Sequence, residues 1–309
     1  MLEILRPGVL TTVQDLGRHG LRHLGIAQSG ALDAPALRLG NHLLGNADDC
    51  AALEIVLGPV EIRFHRDGWL ALTGADFAAT LDGETVWSGW RWPYRSGQCL
   101  RLNGTRHGMR AYLTVDGGID VPQVLGARAT DLSAGFGGHH GRALQAGDRL
   151  PQGTAANLAR RRGAGQPQWT PAIRALPGPE YHEFSADAQA ALWSQPWTVS
   201  SQSNRMGYRL QGAELVREHG SELLSHGVLP GVVQVPPNGQ PIVLLADAQT
   251  TGGYPRIACV IEADLWKLAQ ARPGSELQFI ACDAATARAA LRQQQAELKR
   301  LDWSMQYGR

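Results

Sequence analysis

Four stretches of the chain carry more donors, acceptors and charges than an ordinary strand or turn requires. The first runs from Gly8 to Gly20 and on to Ile26–Asp33, and holds Gln14, Asp15, Arg18 and Ser29. An amide, a carboxylate and a guanidinium lie close together there, Gly17 permits near approach of backbone, and Ser29-Gly30 precede a helix start, where free N–H groups favour an anion. The competing reading is a capped turn with a structural Arg–Asp pair. The second stretch is Ser201–Leu210, with Ser203, Asn204, Arg205 and Arg209. Two arginines beside a hydroxyl and an amide suit a carboxylate or a phosphate, although Ser and Asn also bond their own backbone in loops.

The third stretch, Gly231–Gln240, ends in Asn238-Gly239, which turn chemistry explains by itself. Gln234 and Gln240 are not turn formers, and they are either recognition groups or surface strand positions. The fourth, Leu245–Arg256, leaves an apolar strand abruptly for Asp247, Gln249, Thr250, Thr251, a double glycine and Tyr254. Loops at strand ends commonly carry sites, and Gly-Gly lets backbone N–H groups face a ligand. For Arg205 and Asp247 the plainer alternative is an internal salt bridge tying two loops together.

Other chemistries are excluded or unsupported. Lys267 and Lys299 are the only lysines. Neither stands in a GxxxxGK[ST] loop, so no P-loop is expected, nor in an exposed hairpin that would carry biotin. His139 and His140 are adjacent, and His219 and His226 lack helical i, i+4 spacing, so no metal site is expected. Cys50, Cys99, Cys259 and Cys282 form no CxxC pair and read as small buried hydrophobes. The net charge of +1 gives no global pull towards nucleic acid or acidic lipid. No apolar run reaches the ~18 residues of a membrane span, and the early Glu3 and Arg6-Pro7-Gly8 break any signal peptide. These features point to a soluble, cytoplasmic protein.

The elements that must position these residues are mostly strands. Val60–Phe64 alternates with period two, and Trp69–Gly74, Ala79–Gly83 and Ala111–Gly118 repeat the texture. Asp82-Gly83 predicts a type I′ hairpin turn. Trp197–Ser201, Gly231–Val235 and Pro241–Leu245 continue the pattern in the second half. Helices are predicted from Asp33 as N-cap to a stop at Gly45, from Ala263 to Ala271, and from Asp283 to Leu301. Arg160–Pro167 lacks periodicity and is rich in Gly, Pro and charge, as linkers are. The expected organisation is a β domain at 1–155, a linker at 156–170, a second β domain at 171–282, and a C-terminal helix and tail at 283–309.

Taken together, VQDLGRHG with SGALD, DGGIDVP at Asp116–Pro122, SNRMGYRL and QVPPNGQPIVLLADAQTTGGYPRIA resemble the biotin-dependent carboxyltransferase-like family from about Ile4 to about Phe279. That family includes components of ATP-dependent 5-oxoprolinase, antagonists of KipI-type kinase inhibitors, and half of the carboxyltransferase region of urea carboxylase. The resemblance implies a mainly β fold with flanking helices, built as two cyclophilin-like β-barrel domains. It implies ATP-driven opening of 5-oxo-L-proline to L-glutamate, with ATP bound by this chain or shared with a partner and no biotin on this chain. The implied partners are the two other 5-oxoprolinase components, a KipI-like B subunit and a LamB/YcsF-type A subunit. Alternative functions are one component of a biotin-dependent carboxyltransferase for a urea-like or amide substrate, and a regulatory antagonist. On the first reading Asp15 and Asp247 are the catalytic carboxylates. Arg18, Ser29, Ser203, Asn204, Arg205, Arg209, Thr250, Thr251 and Tyr254 bind substrate or its anions, and Gln14, Gln234 and Gln249 orient an amide.

Overall fold

The computed structural model describes residues 1–105, 107–155, 158–220 and 222–307, and the chain within it is mainly β. It divides into two compact units, one of Met1–Arg18, Ser29–Gln168 and Ala296–Arg309, the other of His19–Gln28 and Trp169–Gln295. The short stretch 19–28 thus counts with the second unit. Arg22 explains why: its Nη2 donates to the carbonyls of Val228 at 2.7 Å and Gln249 at 3.0 Å.

In the first unit the strands pair as two six-stranded sheets, not as one closed ring. Both sheets feed a single core in which Leu2, Ile4, Ile62 and Phe64 meet Leu53, Leu70 and Leu113. The strand Val60–Phe64 buries Val60, Ile62 and Phe64 and turns Arg63 outward, as its alternation predicts. Asp82 and Gly83 both take positive φ, the geometry a type I′ turn demands. Ala52–Val56 and Arg110–Val115 are buried along their whole length. Helix α1 (Ala34–Leu44) covers the sheet face that the core does not. Its Asp33 Oδ1 accepts from the Ala36 N–H at 2.9 Å, and Gly45 stops it with positive φ. Gly40 lets the helix lie close, since a Cβ there would meet Thr114 Oγ1 at 2.7 Å.

The second unit is a closed barrel of seven strands. All pairs are antiparallel except Ala172–Pro177 beside Glu276–Ala281. Trp197, Tyr208, Val233 and Phe279 are buried in it. Helix α2 (Ala186–Ser194) is capped by Ser185, whose Oγ accepts from the Ala188 N–H at 3.1 Å; its weak amphipathicity hid it from the sequence reading. Helix α3 (Leu265–Gln270) follows a 3-10 turn at Glu262–Asp264, as the short helix expected there. Helix α4 (Ala284–Tyr307) starts on Asp283, whose Oδ1 accepts from the Thr286 N–H at 2.7 Å.

The linker expectation meets a different local structure. Residues 156 and 157 of that segment, and 308 and 309 of the tail, lie outside the described residues. Arg162–Gly163 adds a short strand to Trp90–Tyr94, and the Arg161 guanidinium stacks 3.5 Å from the Trp92 ring. Gln166 accepts from the Gly74 N–H at 2.6 Å and donates to Ser88 Oγ at 2.8 Å. Side-chain stacking and amide bonds hold this segment on the first unit, and neither leaves a periodic trace in sequence.

Candidate functional site

The barrel places two of the predicted site loops at the ends of adjacent strands. Gly207–Gln211 pairs with Ile242–Leu244, Gly207 opposite Leu244, so the residues just before the first strand and just after the second must meet. Arg205 and Asp247 meet there. Nε reaches Oδ2 at 2.9 Å and Nη2 reaches Oδ1 at 3.0 Å, a two-point charge-assisted pair. The Asp247 N–H also donates to the Arg205 carbonyl at 3.1 Å. Both residues are buried, at 5% and 4% exposure. The internal salt bridge, the plainer alternative for this pair, is therefore the observed arrangement.

Ser203 and Asn204 shape the turn beside it. Ser203 Oγ accepts from the Arg209 N–H at 3.1 Å, and Asn204 Oδ1 accepts from the Met206 N–H at 2.8 Å. Arg209 points outward on the strand and lines a small recess of about 120 Å³ with Gln202, Asn238 and Gln240. Gln240 itself bridges to Gly212, accepting from its N–H at 3.0 Å.

Gln234 is buried, and its Nε2 donates to the Tyr254 carbonyl at 3.4 Å. Gly252 lies directly over it: a Cβ there would come within 2.8 Å of Gln234 Nε2. The loop 249–252 is fixed through backbone. The Gln249 carbonyl holds Arg22, the Thr250 carbonyl accepts from the Val228 N–H at 3.0 Å, and Thr251–Gly252 pairs with His226–Gly227. The side chains of Gln249 and Thr251 are exposed, as is Tyr254.

The first unit holds the remaining predicted residues. Asp15 accepts from the Gly17 N–H at 2.8 Å and from the Arg128 N–H, and so fastens two backbone segments. Arg18 is buried, donates to the carbonyls of Val124 at 3.1 Å and Ala129 at 2.7 Å, and stacks 4.5 Å over Phe136. Gln14 Nε2 bonds Thr12 Oγ1 at 3.0 Å and the Thr130 carbonyl at 3.2 Å, while its buried Oε1 has no partner among the described residues. Ser29 sits at φ 55 with its hydroxyl buried and likewise unpartnered among the described residues. Gly30 packs on Gly17, where a Cβ would meet the Gly17 nitrogen at 2.6 Å.

Sequence reasoning missed three charged groups. Arg22 anchors the 249 loop, yet its motif pointed to Arg18. Glu54, buried in the middle of Ala52–Val56, accepts from the Tyr112 hydroxyl at 2.6 Å and the Leu32 N–H at 3.0 Å, with Arg110 Nε at 3.5 Å. Burial, with Glu54 and Asp33 nearby, pushes the Tyr112 phenol well above its usual value. A glutamate inside an otherwise apolar strand was the signal available. Glu180 holds Arg256 at 2.8 and 2.6 Å, and those bonds keep its carboxyl below the usual range.

The cysteines are half-buried, not fully enclosed, and burial pushes all four thiols up. Among the described residues no group of three or more His, Cys, Asp or Glu gathers closely enough to hold a metal ion. No helix among them is long and apolar enough to cross a membrane.

The profile of the family described as carboxyltransferase domain, subdomain A and B, matches residues 24–281. The C subunit of the Escherichia coli 5-oxoprolinase is 56% identical over 306 residues, 99% of either chain. The C subunit of the Haemophilus influenzae 5-oxoprolinase is 47% identical over 90% of either chain. Among solved structures, TTHA0988 is 39% identical with a TM-score of 0.82, and 90% of this chain spans 55% of its length. The Kluyveromyces lactis urea carboxylase is 28% identical with a TM-score of 0.90, and 97% of this chain spans 29% of its length.

Proposed function

The chain belongs to the carboxyltransferase subdomain A and B family, and from that membership we propose that it is the C subunit of an ATP-dependent 5-oxoprolinase. The observation that carries this reading is the identity of 56% with the E. coli protein over 99% of either chain. In the proposed reaction, 5-oxo-L-proline, ATP and two molecules of water give L-glutamate, ADP and phosphate: one water adds in opening the ring and the other in releasing the phosphate. The lactam is a stable amide, so ATP activates its carbonyl oxygen before water opens the ring. The nucleotide is bound by this chain or shared with a partner. The partners are a KipI-like B subunit and a LamB/YcsF-type A subunit, and the assembly works in the cytoplasm.

Within the second unit, Arg205 and Asp247 occupy each other's bonding edges. We therefore give them the task of fixing the loop that presents Gln249, Thr250 and Thr251. Substrate or phosphate contact falls to groups with outward side chains, Arg209, Gln249 and Thr251. Ser203, Asn204 and Gln234 hold their loops in place. In the first unit Asp15 and Arg18 hold backbone, while Gln14 Oε1 and the Ser29 hydroxyl are buried polar atoms without a partner among the described residues.

The test is 5-oxoproline-dependent ADP release by the co-purified subunits with each omitted in turn. Turnover is expected only from the full set. Turnover by this chain alone would overturn the subunit reading, and no turnover by the full set would overturn the substrate.

A further inference from the structure

A cleft of about 580 Å³ opens in the second unit, and none of Arg205, Gln234, Asp247 or Gln249 lines it. Its floor is core: Phe184, Leu215 and Val235 are buried, with Pro236 and Tyr254 above them. The walls are fixed by backbone bonds, Leu215 N–H to the Gly239 carbonyl at 3.0 Å and Val235 N–H to the Pro255 carbonyl at 3.0 Å. A cleft of this volume with braced walls is of ligand-binding size.

Two features limit what can fill it. The first is charge. Glu214 and Glu222 stand in the lining with no salt bridge among the described residues, whereas the one lining arginine, Arg217, is closed by Glu183 Oε2 at 2.8 and 2.5 Å. The cleft therefore presents net negative charge on an apolar surface and favours a cation. The second is the rim. Val216 and Tyr254 in the lining are each 46% exposed, and Leu224, next to lining Leu223, is 89% exposed. A small amine could meet the acids but would leave this apolar rim in water. A polypeptide would cover both, matching the usual anatomy of an apolar centre with a charged border.

We propose that this cleft docks an extended apolar segment of a partner subunit that carries a lysine or arginine, with the basic group meeting Glu214 and Glu222. The proposal rests on the reading of the chain as one component of a hetero-complex. The proline-lined, backbone-braced walls reduce the ordering cost of docking.

The test uses the full chain with its co-expressed partner subunits, with affinity measured by calorimetry. Leu224→Glu and the double variant Glu214→Lys/Glu222→Lys are each expected to weaken the complex at least tenfold. Val9→Asp, at another exposed apolar position but in the first unit, should bind as wild type. Salt should weaken wild-type binding and strengthen that of the double variant, whose lysines repel the partner's basic group. Hydrogen exchange of the wild-type complex reads the same contact without any substitution: residues 214–224 should gain protection. Undiminished binding by the folded variants, or no added protection at 214–224, overturns the docking site and leaves the subunit reading intact. Failure of the wild-type chain to bind any partner subunit overturns both.

Discussion

Replacing Asp247 by asparagine removes a charge but not a shape from a pair that is almost wholly out of water. The Nε/Nη2 edge of Arg205 meets the two carboxylate oxygens at 2.9 and 3.0 Å. Removing one member of a buried pair leaves the other uncompensated, at a cost of roughly 3–5 kcal/mol. The solvent screening that reduces exposed pairs to about 1 kcal/mol or less has little purchase at this depth. A domain holds only ~5–15 kcal/mol in total. At ~2–4 °C per kcal/mol for chains of this size, Arg205→Ala and Asp247→Asn should each lower the unfolding midpoint by about 6–20 °C. The double variant Arg205→Met/Asp247→Leu, which leaves no orphaned charge, should recover most of that loss. Turnover per folded molecule, measured on the same samples in the reconstituted complex, should fall less than tenfold for the single variants. Melting within ~2 °C of wild type, together with a tenfold or larger loss of specific activity, would refute this reasoning and return the pair to the substrate.

Three further perturbations separate structural from functional roles. Gly30→Ala and Gly20→Ala both force a side chain to positive φ, costing ~1–2 kcal/mol. Only position 30 also drives a Cβ to 2.6 Å from backbone, so denaturant titration should show the greater loss there. Asp148 is held at about 2 by its bonds to Arg142, and Glu180 and Asp264 are also held low in the folded state, despite the burial that opposes it at Asp264. Their stabilising contributions are complete above their unfolded values of ~4 and vanish as pH falls through the lower folded values. Denaturant midpoints should therefore drop below about pH 4, and Arg142→Gln should flatten that slope; an unchanged slope would remove Asp148 from the account. Ser29→Gly relieves a left-handed φ and deletes an unpartnered hydroxyl. The variant should be as stable as wild type or more so, by up to ~1 kcal/mol, while turnover falls; retained turnover would make Ser29 a mere turn residue.

Much of the fold was legible because its signals are local. The cap at Asp33 and the stop at Gly45 place α1 to the residue, and Asp82-Gly83 gives its hairpin. The alternation of Val60–Phe64 sets which face it buries. What sequence could not supply was pairing at a distance. The 19–28 stretch joins the second unit through carbonyls over 200 residues away, and nothing near Arg22 encodes them. The segment around Arg161 looks like a linker because stacking on Trp92 has no period.

The site residues divide along the same line. A polar side chain at a strand end must first satisfy the backbone that the strand leaves behind, since each unpaired buried group costs about 1–3 kcal/mol. Ser203, Asn204, Asp15 and Arg18 are all engaged this way. Donor density in a sequence therefore overstates a site, because turns and ligands call for the same residue types. Partner occupancy discriminates where residue type does not. Arg209 and Gln249 keep their side chains outward, and Gln14 Oε1 and the Ser29 hydroxyl are buried without a partner among the described residues. The cleft beneath Tyr254 escaped the sequence for the opposite reason. Its lining of proline, leucine and valine reads as ordinary core and turn, and only the fold reveals that those residues leave a space, with two acids at its edge.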